Sequence, residues 1–380
     1  MTTPPSARCW TEIDLGALER NLKRIRAGLP EWIRYVAVVK ADAYGHGMAQ
    51  TVTRLMRSGV DLLAVANVRE GIEIREIGAG WPILILSAAL PDEVDDIVEW
   101  DLIPTLSSVE EAARFAAAAR RQQRTVSVHL KIDTGMGRLG VWHENAEDLL
   151  AAVLVHPELL PAGIFTHFAS ADIDPAFTAR QRRVFLNTLG RLKGLEAADL
   201  LIHADNSAGL ESFTRAGPFN AVRVGLLQFG IPPSPDSVLR SVQTDPVLSF
   251  HTRVGLVKSL PAGTGISYGQ TYTLGCDSRV AILAAGYADG IPTALSNRGS
   301  VLIRGNRCSV LGRVTMDQTI VDVTAIPHVH AGDTATFIGD QERESIRVED
   351  FCSISGQIPW EALVSITKRV QRIYKIDTGI

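Results

Sequence analysis

Short apolar runs alternate with amphipathic segments from about residue 36 to residue 230. The apolar runs are "VAVVK", "LLAVAN", "PILILS", "LIPTLS", "VSVHLKID", "PAGIFTHF", "LLIHADNS" and "AVRVGLLQFG". The segments between them, such as "VEEAARFAAAARRQQ", are rich in good helix formers and place apolar residues near a period of 3.6. About eight strand–helix units in about 200 residues predict a TIM-type (β/α)8 barrel, and a doubly wound open sheet is the alternative.

The pattern changes after about residue 245 to short alternating runs broken by Gly, Pro, Asn and Asp, which predicts a mostly β domain. In "SVLIRGNRCSVLG", Gly305 and Asn306 tolerate positive φ, so we expect a hairpin turn at that pair. The N-terminal "CWTEIDL" is strand-like as well. We therefore expect an N-terminal strand in residues 1–12 that packs with the β domain, a barrel in residues 13–243 and the β-rich domain in residues 244–380.

The composition favours a small-molecule partner. The 380 residues carry a net charge of −4, which predicts no binding surface for nucleic acid or for an anionic membrane. Cys9, Cys276, Cys308 and Cys352 lie far apart, which argues against a disulfide framework and against a zinc site. Neither an export signal nor a membrane-spanning apolar run is recognisable, so we expect a cytoplasmic location.

The stretch "AVVKADAYGHG", residues 37–47, places a lysine at the end of a run that is typical of a strand buried on both faces. A desolvated ammonium group is costly unless it is paired or chemically changed. In one interpretation the strand simply stops at Lys40 and its ammonium reaches solvent. In the other, Lys40 has a lowered pKa and forms a Schiff base with an aldehyde. The stretch alone leaves both open.

Polar residues follow several of the predicted barrel strands, whose carboxyl ends face the catalytic mouth of such a fold. Lys40 ends the first strand, Lys131 and Arg138 follow the fifth, His167 ends the sixth, His203 and Ser207 the seventh, and Arg223 the eighth. Each residue alone has a structural explanation, such as a hydrogen-bonded histidine at a strand end. Their common placement favours a functional site at one rim.

A phosphate site is expected after the seventh and eighth strands, where barrels commonly bind this group. Ser207 offers a hydroxyl, and Gly225 allows close approach to the backbone N–H groups of residues 225 and 226. An N-cap serine and a packing glycine are the alternative. A lysine that forms a Schiff base opposite a phosphate site indicates pyridoxal 5′-phosphate, which carries both an aldehyde and a phosphate.

The β-rich domain contains two further motifs, "GTGISYGQTY" and "GRVTMDQTIVDV". A glycine follows Tyr268 directly, so its hydroxyl can lie on a tight, exposed turn, although an aromatic side chain packed at a strand end is the simpler interpretation. Asp317 in "TMDQ" is more typical of a structural turn residue than of an acid catalyst.

Together these motifs resemble those of bacterial alanine racemases, pyridoxal-phosphate enzymes built from a barrel and a β domain. The matching segments are "WTEIDLGALERNL", "VVKADAYGHG", "HLKIDTGMGRLG", "FTHFASAD", "HADNSAG", "VRVG", "ISYGQTY", "AAGYADG" and "GRVTMDQ". The resemblance implies an isomerase that interconverts L- and D-alanine and supplies D-alanine for peptidoglycan. It also implies a homodimer with active sites at the interface.

The resemblance implies a two-base mechanism, with Lys40 on one face of the substrate and Tyr268 of the partner subunit on the other. Their ordinary pKa values near 10 are too high for bases at neutral pH, so their surroundings must lower them. Arg138 would bind the substrate carboxylate, and the backbone N–H of Met316 of the partner subunit would contact the substrate. The implied cofactor-binding residues are Lys40, Tyr44, His167, Ser207, Arg223, Gly225, Leu226 and Trp360.

Several of these implied roles carry a chemical consequence. Arg223 would face the pyridine nitrogen and, because arginine stays protonated, would disfavour a proton there and weaken the ring as an electron sink. Lys131 matches a lysine that can be carbamylated to hold Arg138, and a plain salt-bridged lysine is the alternative. Trp360 stands where these enzymes often have a tyrosine that reaches the phosphate. The expected supporting residues are His203, Tyr287 and Asp317.

Three other functions remain open from the sequence. A racemase of the same fold that acts on serine or on a broad set of amino acids would differ only in a few pocket side chains. A pyridoxal-phosphate decarboxylase of the related barrel fold is a second possibility, and a non-catalytic cofactor-binding protein is a third. The sequence shows none of the glycine-triplet phosphate loop of the decarboxylase family, and "ISYG" with Arg223 and "GRVTMDQ" favours the racemase. The β-rich domain with Tyr268 argues against a non-catalytic protein built on the barrel alone.

Overall fold

The computed structural model describes residues 7–78, 80–195, 199–206, 217–232 and 241–376. These residues divide into two units. The β unit contains the N-terminal segment as far as Ala17, Tyr44–Gly47 and the chain from Pro246 onward, and the barrel unit contains Leu18–Ala43 and Met48–Asp245. None of the described helices is long and apolar enough to cross a membrane.

The first part of the chain alternates strands and helices. Its strands are β1 (Cys9–Asp14), β2 (Arg34–Val38), β3 (Leu62–Val65), β4 (Ile83–Ile85), β5 (Thr105–Leu106), β6 (Val126–Asp133), β7 (Val141–Trp142), β8 (Leu159–Phe165), β9 (Leu201–His203) and β10 (Ala221–Val224). Its helices are α1 (Leu15–Ala27), α2 (Met48–Arg57), α3 (Val68–Ile77), α4 (Val94–Glu99), α5 (Val109–Arg121), α6 (Ala146–Leu154) and α7 (Pro175–Arg191).

Local sequence explains why such helices form where they do, as α5 illustrates. Ser108 caps its first turn by accepting the Glu111 N–H at 3.2 Å, and Glu111 accepts the Ser108 N–H in return. Beyond this cap, Ala112, Phe115 and Ala119 are buried at helical spacing. The apolar face of α5 therefore packs into the barrel unit, and Arg120 and Arg121 in its last turn remain exposed.

Parallel pairing closes the barrel. The described sheets run β10-β2-β3-β4 and β5-β6-β8-β9, with β7 beside β6. Single bridges between Leu84 and Ile103 and between Asn206 and Arg223 join the two sheets at both edges. Because the last strand pairs with the first, the predicted (β/α)8 barrel is confirmed, and the open-sheet alternative is wrong. Lys131 lies within the fifth barrel strand rather than after it, because β6 continues to Asp133.

The second part of the chain is mostly β, as predicted. Its strands are β11 (Leu248–Leu260), β12 (Gly265–Ile266), β13 (Tyr272–Thr273), β14 (Ser278–Leu283), β15 (Ser300–Ile303), β16 (Asn306–Ser309), β17 (Thr319–Asp322), β18 (Thr334–Gln341), β19 (Glu344–Ile346) and β20 (Gln371–Lys375). Its helices are α8 (Val348–Ser355) and α9 (Pro359–Val364). The main sheet runs β16-β15-β18-β11-β1-β20, so β1 lies between an antiparallel and a parallel neighbour.

The predicted hairpin forms between β15 and β16, but its turn lies one residue earlier than expected. Ile303 pairs with Asn306, so the two turn residues are Arg304 and Gly305. Both have positive φ, 50° and 70°, as a type I′ turn requires. The Asn306 side chain donates a hydrogen bond to the Arg304 carbonyl at 2.7 Å, which stabilises the turn from within β16.

A left-handed helical turn, Lys40–Tyr44, follows the first barrel strand. The four residues from Ala41 to Tyr44 have φ between 53° and 55°, a conformation that costs about 1–2 kcal/mol for each L-residue. Two carboxylates hold it. Asp42 Oδ1 accepts the Met48 N–H at 2.6 Å, and Glu70 Oε1 accepts the Ala41 N–H at 2.7 Å. The backbone after Lys40 is thus fixed in a conformation that it would not adopt alone.

Two glycines continue this turn into the β unit, where the backbone passes very close to other residues. A Cβ atom at Gly47, which has a φ of 91°, would lie 1.8 Å from Tyr374 Oη on β20. A Cβ atom at Gly45 would lie 2.5 Å from the Leu363 carbonyl oxygen of α9. The approach of Tyr374 and Leu363 therefore requires glycine at both positions.

This close approach predicts a specific loss of stability in the Gly47→Ala variant. Gly59→Ala is the matched control, since Gly59 has a φ of 90° and an added Cβ would meet no described atom within 4 Å. The control should lose about 1 kcal/mol from backbone strain alone. Gly47→Ala should lose about 2 kcal/mol more, because Tyr374 must move. Urea unfolding of both variants measures the difference, and equal losses would contradict the steric role of Tyr374.

Candidate active site

Lys40 lies two residues beyond the last residue of β2, at the start of the left-handed turn, and its side chain is half-buried. Burial lowers its pKa below the ordinary value, and the positive charges of Arg138 and Arg223 lower it further. The carboxylate of Glu70 opposes this shift. The amine of Lys40 is therefore a better nucleophile and proton acceptor near neutral pH than a solvated lysine.

Arg223 lies on β10 with only 3% of its surface exposed, and fixed acceptors surround one side of its guanidinium group. Nη2 donates to the carbonyls of Ala204 at 2.8 Å and Thr166 at 3.0 Å. The Nδ1 atoms of His203, at 2.7 Å from Nη1, and His167, at 3.1 Å from Nη2, complete the set. Burial lowers the Arg223 pKa to about 10, which still leaves the group protonated at neutral pH.

The arginine fixes the tautomers of a buried histidine pair. A guanidinium group only donates, so His203 must present an unprotonated Nδ1 and carry its hydrogen on Nε2. That Nε2 lies 3.1 Å from Nδ1 of His129, which accepts the hydrogen bond. Burial and the charge of Arg223 lower the pKa of His129 to about 3 and that of His203 well below its ordinary value. Both rings are therefore neutral, and donation runs in one direction from Arg223 to His129.

Lys131 lies on β6 between His129 and Asp133, so the three side chains share one face of the strand. Only 5% of its surface is exposed, and Nζ lies 4.2 Å from the centroid of the Phe165 ring. Burial lowers the Lys131 pKa well below its ordinary value, and Arg223 adds to the shift. No ion pair to Lys131 occurs among the described residues. The Asp133 carboxylate instead accepts backbone N–H groups of its own loop.

Arg138 lies on the exposed loop that Asp133 orders. Asp133 accepts the N–H groups of Gly135, Met136 and Gly137 at 2.8 to 3.2 Å, which closes the loop directly after β6. The charge of Arg138 lowers the pKa values of Lys40, Lys131 and His167, so its guanidinium acts on all three groups.

A buried ion pair supports the far side of Arg223. Asp205, which is 1% exposed, accepts Arg182 Nη2 at 2.6 Å, and its backbone carbonyl accepts the Arg223 N–H at 3.1 Å. Its negative charge opposes the lowering of the Arg223 pKa. The charge of Asp205 thus helps to keep Arg223 protonated.

The β unit presents a different set of groups, which are exposed rather than buried. Tyr268 is 73% exposed, at the start of the turn Tyr268–Gln270, where Ser267 and Gly269 have positive φ. Tyr287, Met316 and Trp360 are 45%, 52% and 41% exposed. Single exposed large side chains are common on protein surfaces, so the exposure of these four residues assigns no role by itself.

Asp317 belongs to an ion-pair cluster within the β unit. Arg369 Nη2 donates to its carboxylate at 2.8 Å, and Arg369 Nε lies 3.4 Å from the buried Asp289. Asp289 in turn accepts the Gly286 N–H at 3.0 Å. Arg369 thus links the carboxylates of Asp317 and Asp289 within the β unit.

The structure thus places the residues predicted from the sequence in two sets. The barrel unit holds Lys40, Lys131, Arg138, His167, His203, Arg223, Gly225 and Leu226, and the β unit holds Tyr44, Tyr268, Tyr287, Met316, Asp317 and Trp360. Ser207 lies outside the described residues. Sequence reasoning missed His129 and Phe165 as parts of the cluster, although the alternation in "HLKID" puts His129 on the same face as Lys131.

The buried neutral histidines predict a pH-dependent stability. An unfolded chain protonates them near the ordinary pKa of about 6.5, whereas the folded pKa values of His129 and His167 are about 3 and about 2. The unfolded state therefore binds more protons below pH 6.5, and stability falls as pH decreases toward 3. The His129→Gln variant lacks one such group, so the slope of its free energy of unfolding against pH should be smaller by about 1.4 kcal/mol per pH unit. Urea unfolding between pH 4.5 and pH 6 tests this.

The exposed His328 supplies the matched control, because His328→Gln also removes one imidazole. If the free energy of unfolding of His129→Gln changed with pH as steeply as that of the wild-type chain, the assignment of a neutral, buried His129 would be wrong.

Comparison with known proteins identifies the family. The family described as "Alanine racemase, N-terminal domain" matches residues 13–233, and "Alanine racemase, C-terminal domain" matches residues 247–374. The alanine racemase of Halothermothrix orenii is 39% identical over 371 residues, covering 97% of each chain. That of Clostridium difficile 630 has a TM-score of 0.91 at 32% identity, covering 100% of this chain and 97% of that one. The structure described as alanine racemase from Bacillus anthracis with bound L-Ala-P has a TM-score of 0.89 at 32% identity, and the match covers 99% of this chain and 97% of that one. The chain therefore belongs to the alanine racemase family of pyridoxal-phosphate-dependent isomerases.

Proposed function

We propose that the protein interconverts L- and D-alanine with pyridoxal phosphate bound in the barrel unit. The observation that carries this proposal is the pair formed by Lys40 and Arg223. Lys40 is an amine of lowered pKa at the end of a barrel strand, and Arg223 is a buried cation whose acceptors hold it in one orientation. An amine for the aldehyde and an Asp or Arg partner for the pyridine nitrogen are typical of sites that bind this cofactor.

The cofactor, when bound, delocalises the electron pair that remains when the substrate Cα loses its proton. Arg223 limits this effect. Its guanidinium group stays protonated and would face the ring nitrogen, which would then not gain a proton of its own. A weaker electron sink favours prompt return of a proton to Cα over decarboxylation or transamination.

Two bases suit a reaction in which a proton leaves one face of Cα and arrives on the other. Lys40 would serve one face and Tyr268 of the partner subunit the other. A tyrosine that acts as a base needs surroundings that lower its pKa. Tyr268 is exposed on the single chain, so these surroundings would come from the other subunit. We accordingly propose a homodimer whose interface covers Tyr268, Tyr287 and Met316.

Arg138 would bind the substrate carboxylate, and Lys131 would support it as a carbamate. The buried amine of Lys131 would attack carbon dioxide, forming an N–C bond and releasing one proton. The resulting anion would lie beside the positive charges of Arg138 and Arg223, where the ammonium form is disfavoured. The neutral amine that burial favours is the form able to react.

The phosphate would be bound by Tyr44, Ser207 and the backbone N–H groups of Gly225 and Leu226. Trp360 would take the place of a tyrosine hydroxyl at this end, and its indole N–H can donate but cannot accept. His167 would orient Tyr268 of the partner subunit, since His167 Nδ1 is already held by Arg223. The reaction would take place in the cytoplasm, and its product, D-alanine, would be used for peptidoglycan.

Mixed dimers test the two-base arrangement. Lys40→Ala and Tyr268→Ala should each be inactive as pure dimers. A hybrid contains one site with both residues intact only if the two bases come from different subunits. Refolding an equal mixture should therefore restore about a quarter of wild-type activity, from random pairing of a two-fold dimer. Activity no higher than that of either variant alone would overturn the shared site.

A direct assay separates the candidate substrates and reactions. The purified protein with pyridoxal phosphate is incubated in turn with L-alanine, L-serine and L-lysine, and D-enantiomers and carbon dioxide are measured. We expect D-alanine as the main product and no carbon dioxide. Equal rates with serine would favour a broad-specificity racemase, and released carbon dioxide would favour a decarboxylase.

A further inference from the structure

Gln228 is a fully buried amide on the short helical turn that follows β10. Its Nε2 donates to the Val38 carbonyl at 2.9 Å, and its Oε1 accepts the Tyr35 hydroxyl at 3.3 Å. Burial raises the pKa of Tyr35, so the phenol stays protonated and can only be the donor in this bond. Tyr35 thereby fixes which end of the Gln228 amide faces Val38.

The bond to Val38 replaces a bond that the barrel should otherwise make. β10 and β2 are parallel, and Arg34 donates to Asn220 as the register requires. Continuing the same ladder, the next donor to the Val38 carbonyl would be the N–H of Leu226. β10 ends at Val224, however, and Gln228 occupies that carbonyl instead.

The use of the Gln228 side chain in place of a backbone donor has two consequences at the end of β10. The Leu226 N–H does not donate to the sheet. Leu226 is the first residue of a short helical turn, in which the first N–H groups have no acceptor within the turn. The carbonyl of Val38, two residues before Lys40, still receives a hydrogen bond and stays buried without penalty. Gln228 therefore connects the turn after β10 to the last residue of β2, two residues before Lys40.

We propose that Gln228 is a positioning residue that releases the Leu226 N–H for an anionic phosphate while it holds the strand end beneath Lys40. This rests on the proposed function, in which one cofactor bonds to Lys40 at one end and to the turn after β10 at the other. A ligand that bridges both elements needs them at a fixed separation, whereas a ligand held by Lys40 alone does not.

Comparing two ligands tests the proposal. Apoprotein is titrated with pyridoxal phosphate and with pyridoxal, which has the aldehyde but no phosphate, and binding is followed by absorbance. In Gln228→Met the Kd for pyridoxal phosphate should rise about tenfold, from the loss of one buried hydrogen bond, and the Kd for pyridoxal less than about twofold. Tyr35→Phe should shift the same ratio in the same direction by about threefold, since it removes only the bond that orients the amide.

Thr105→Val is the matched control. Thr105 Oγ1 donates to the Ile85 carbonyl at 2.6 Å, so it also caps a barrel strand from a neighbouring one, but away from the turn after β10. It should lose stability without changing the ratio of the two Kd values. An unchanged ratio in both Gln228→Met and Tyr35→Phe, or an equal change in Thr105→Val, would overturn the role of Gln228. Wild-type protein that binds no pyridoxal phosphate would instead refute the proposed function itself.

Discussion

The buried guanidinium group of Arg223 imposes the strongest constraint on the barrel unit. A cation this deep is stable only when its donors meet oriented acceptors. Two backbone carbonyls and two imidazoles fill that role, and its guanidinium makes no hydrogen bond to a carboxylate among the described residues. Neutral acceptors leave the positive charge of Arg223 in place. A carboxylate in the same position would have cancelled much of it.

Burial is the main cause of the lowered pKa values around Arg223, and the retained charge adds to it. His129 and His203 must be neutral, and the amines of Lys40 and Lys131 lose part of their preference for the ammonium form. Burial, together with the charges of Arg223 and Arg138, thereby favours the neutral amines of both lysines, and the hydrogen bond from Arg223 fixes the tautomers of the two histidines. The buried Phe165 ring stacks on His203 at a centroid distance of 4.7 Å and packs against this cluster. The perturbed groups therefore depend on one another, as is typical of functional sites.

The sequence predicted the barrel and the β domain because strand and helix periods differ enough to be distinguished over long segments. It placed the hairpin turn one residue late, because Arg304 adopts a positive φ that its side chain alone does not announce. The left-handed turn after Lys40 escaped prediction for the same reason, since Ala41 and Ala43 carry no signal for it. His129 was missed because its partner His203 is 74 positions away, and such a pair is visible only after folding. The assigned roles of the site residues stay predictions.

The left-handed turn shows how strain and function are joined at Lys40. A regular strand end would let the chain leave the barrel in any of several directions. Four consecutive residues in a disfavoured conformation instead allow one path, and the carboxylates of Asp42 and Glu70 offset part of its cost. Glu70 has a second effect, because its charge opposes the lowering of the Lys40 pKa. The same carboxylate thus helps to hold the backbone beside Lys40 and opposes part of the loss of basicity that burial and Arg138 cause.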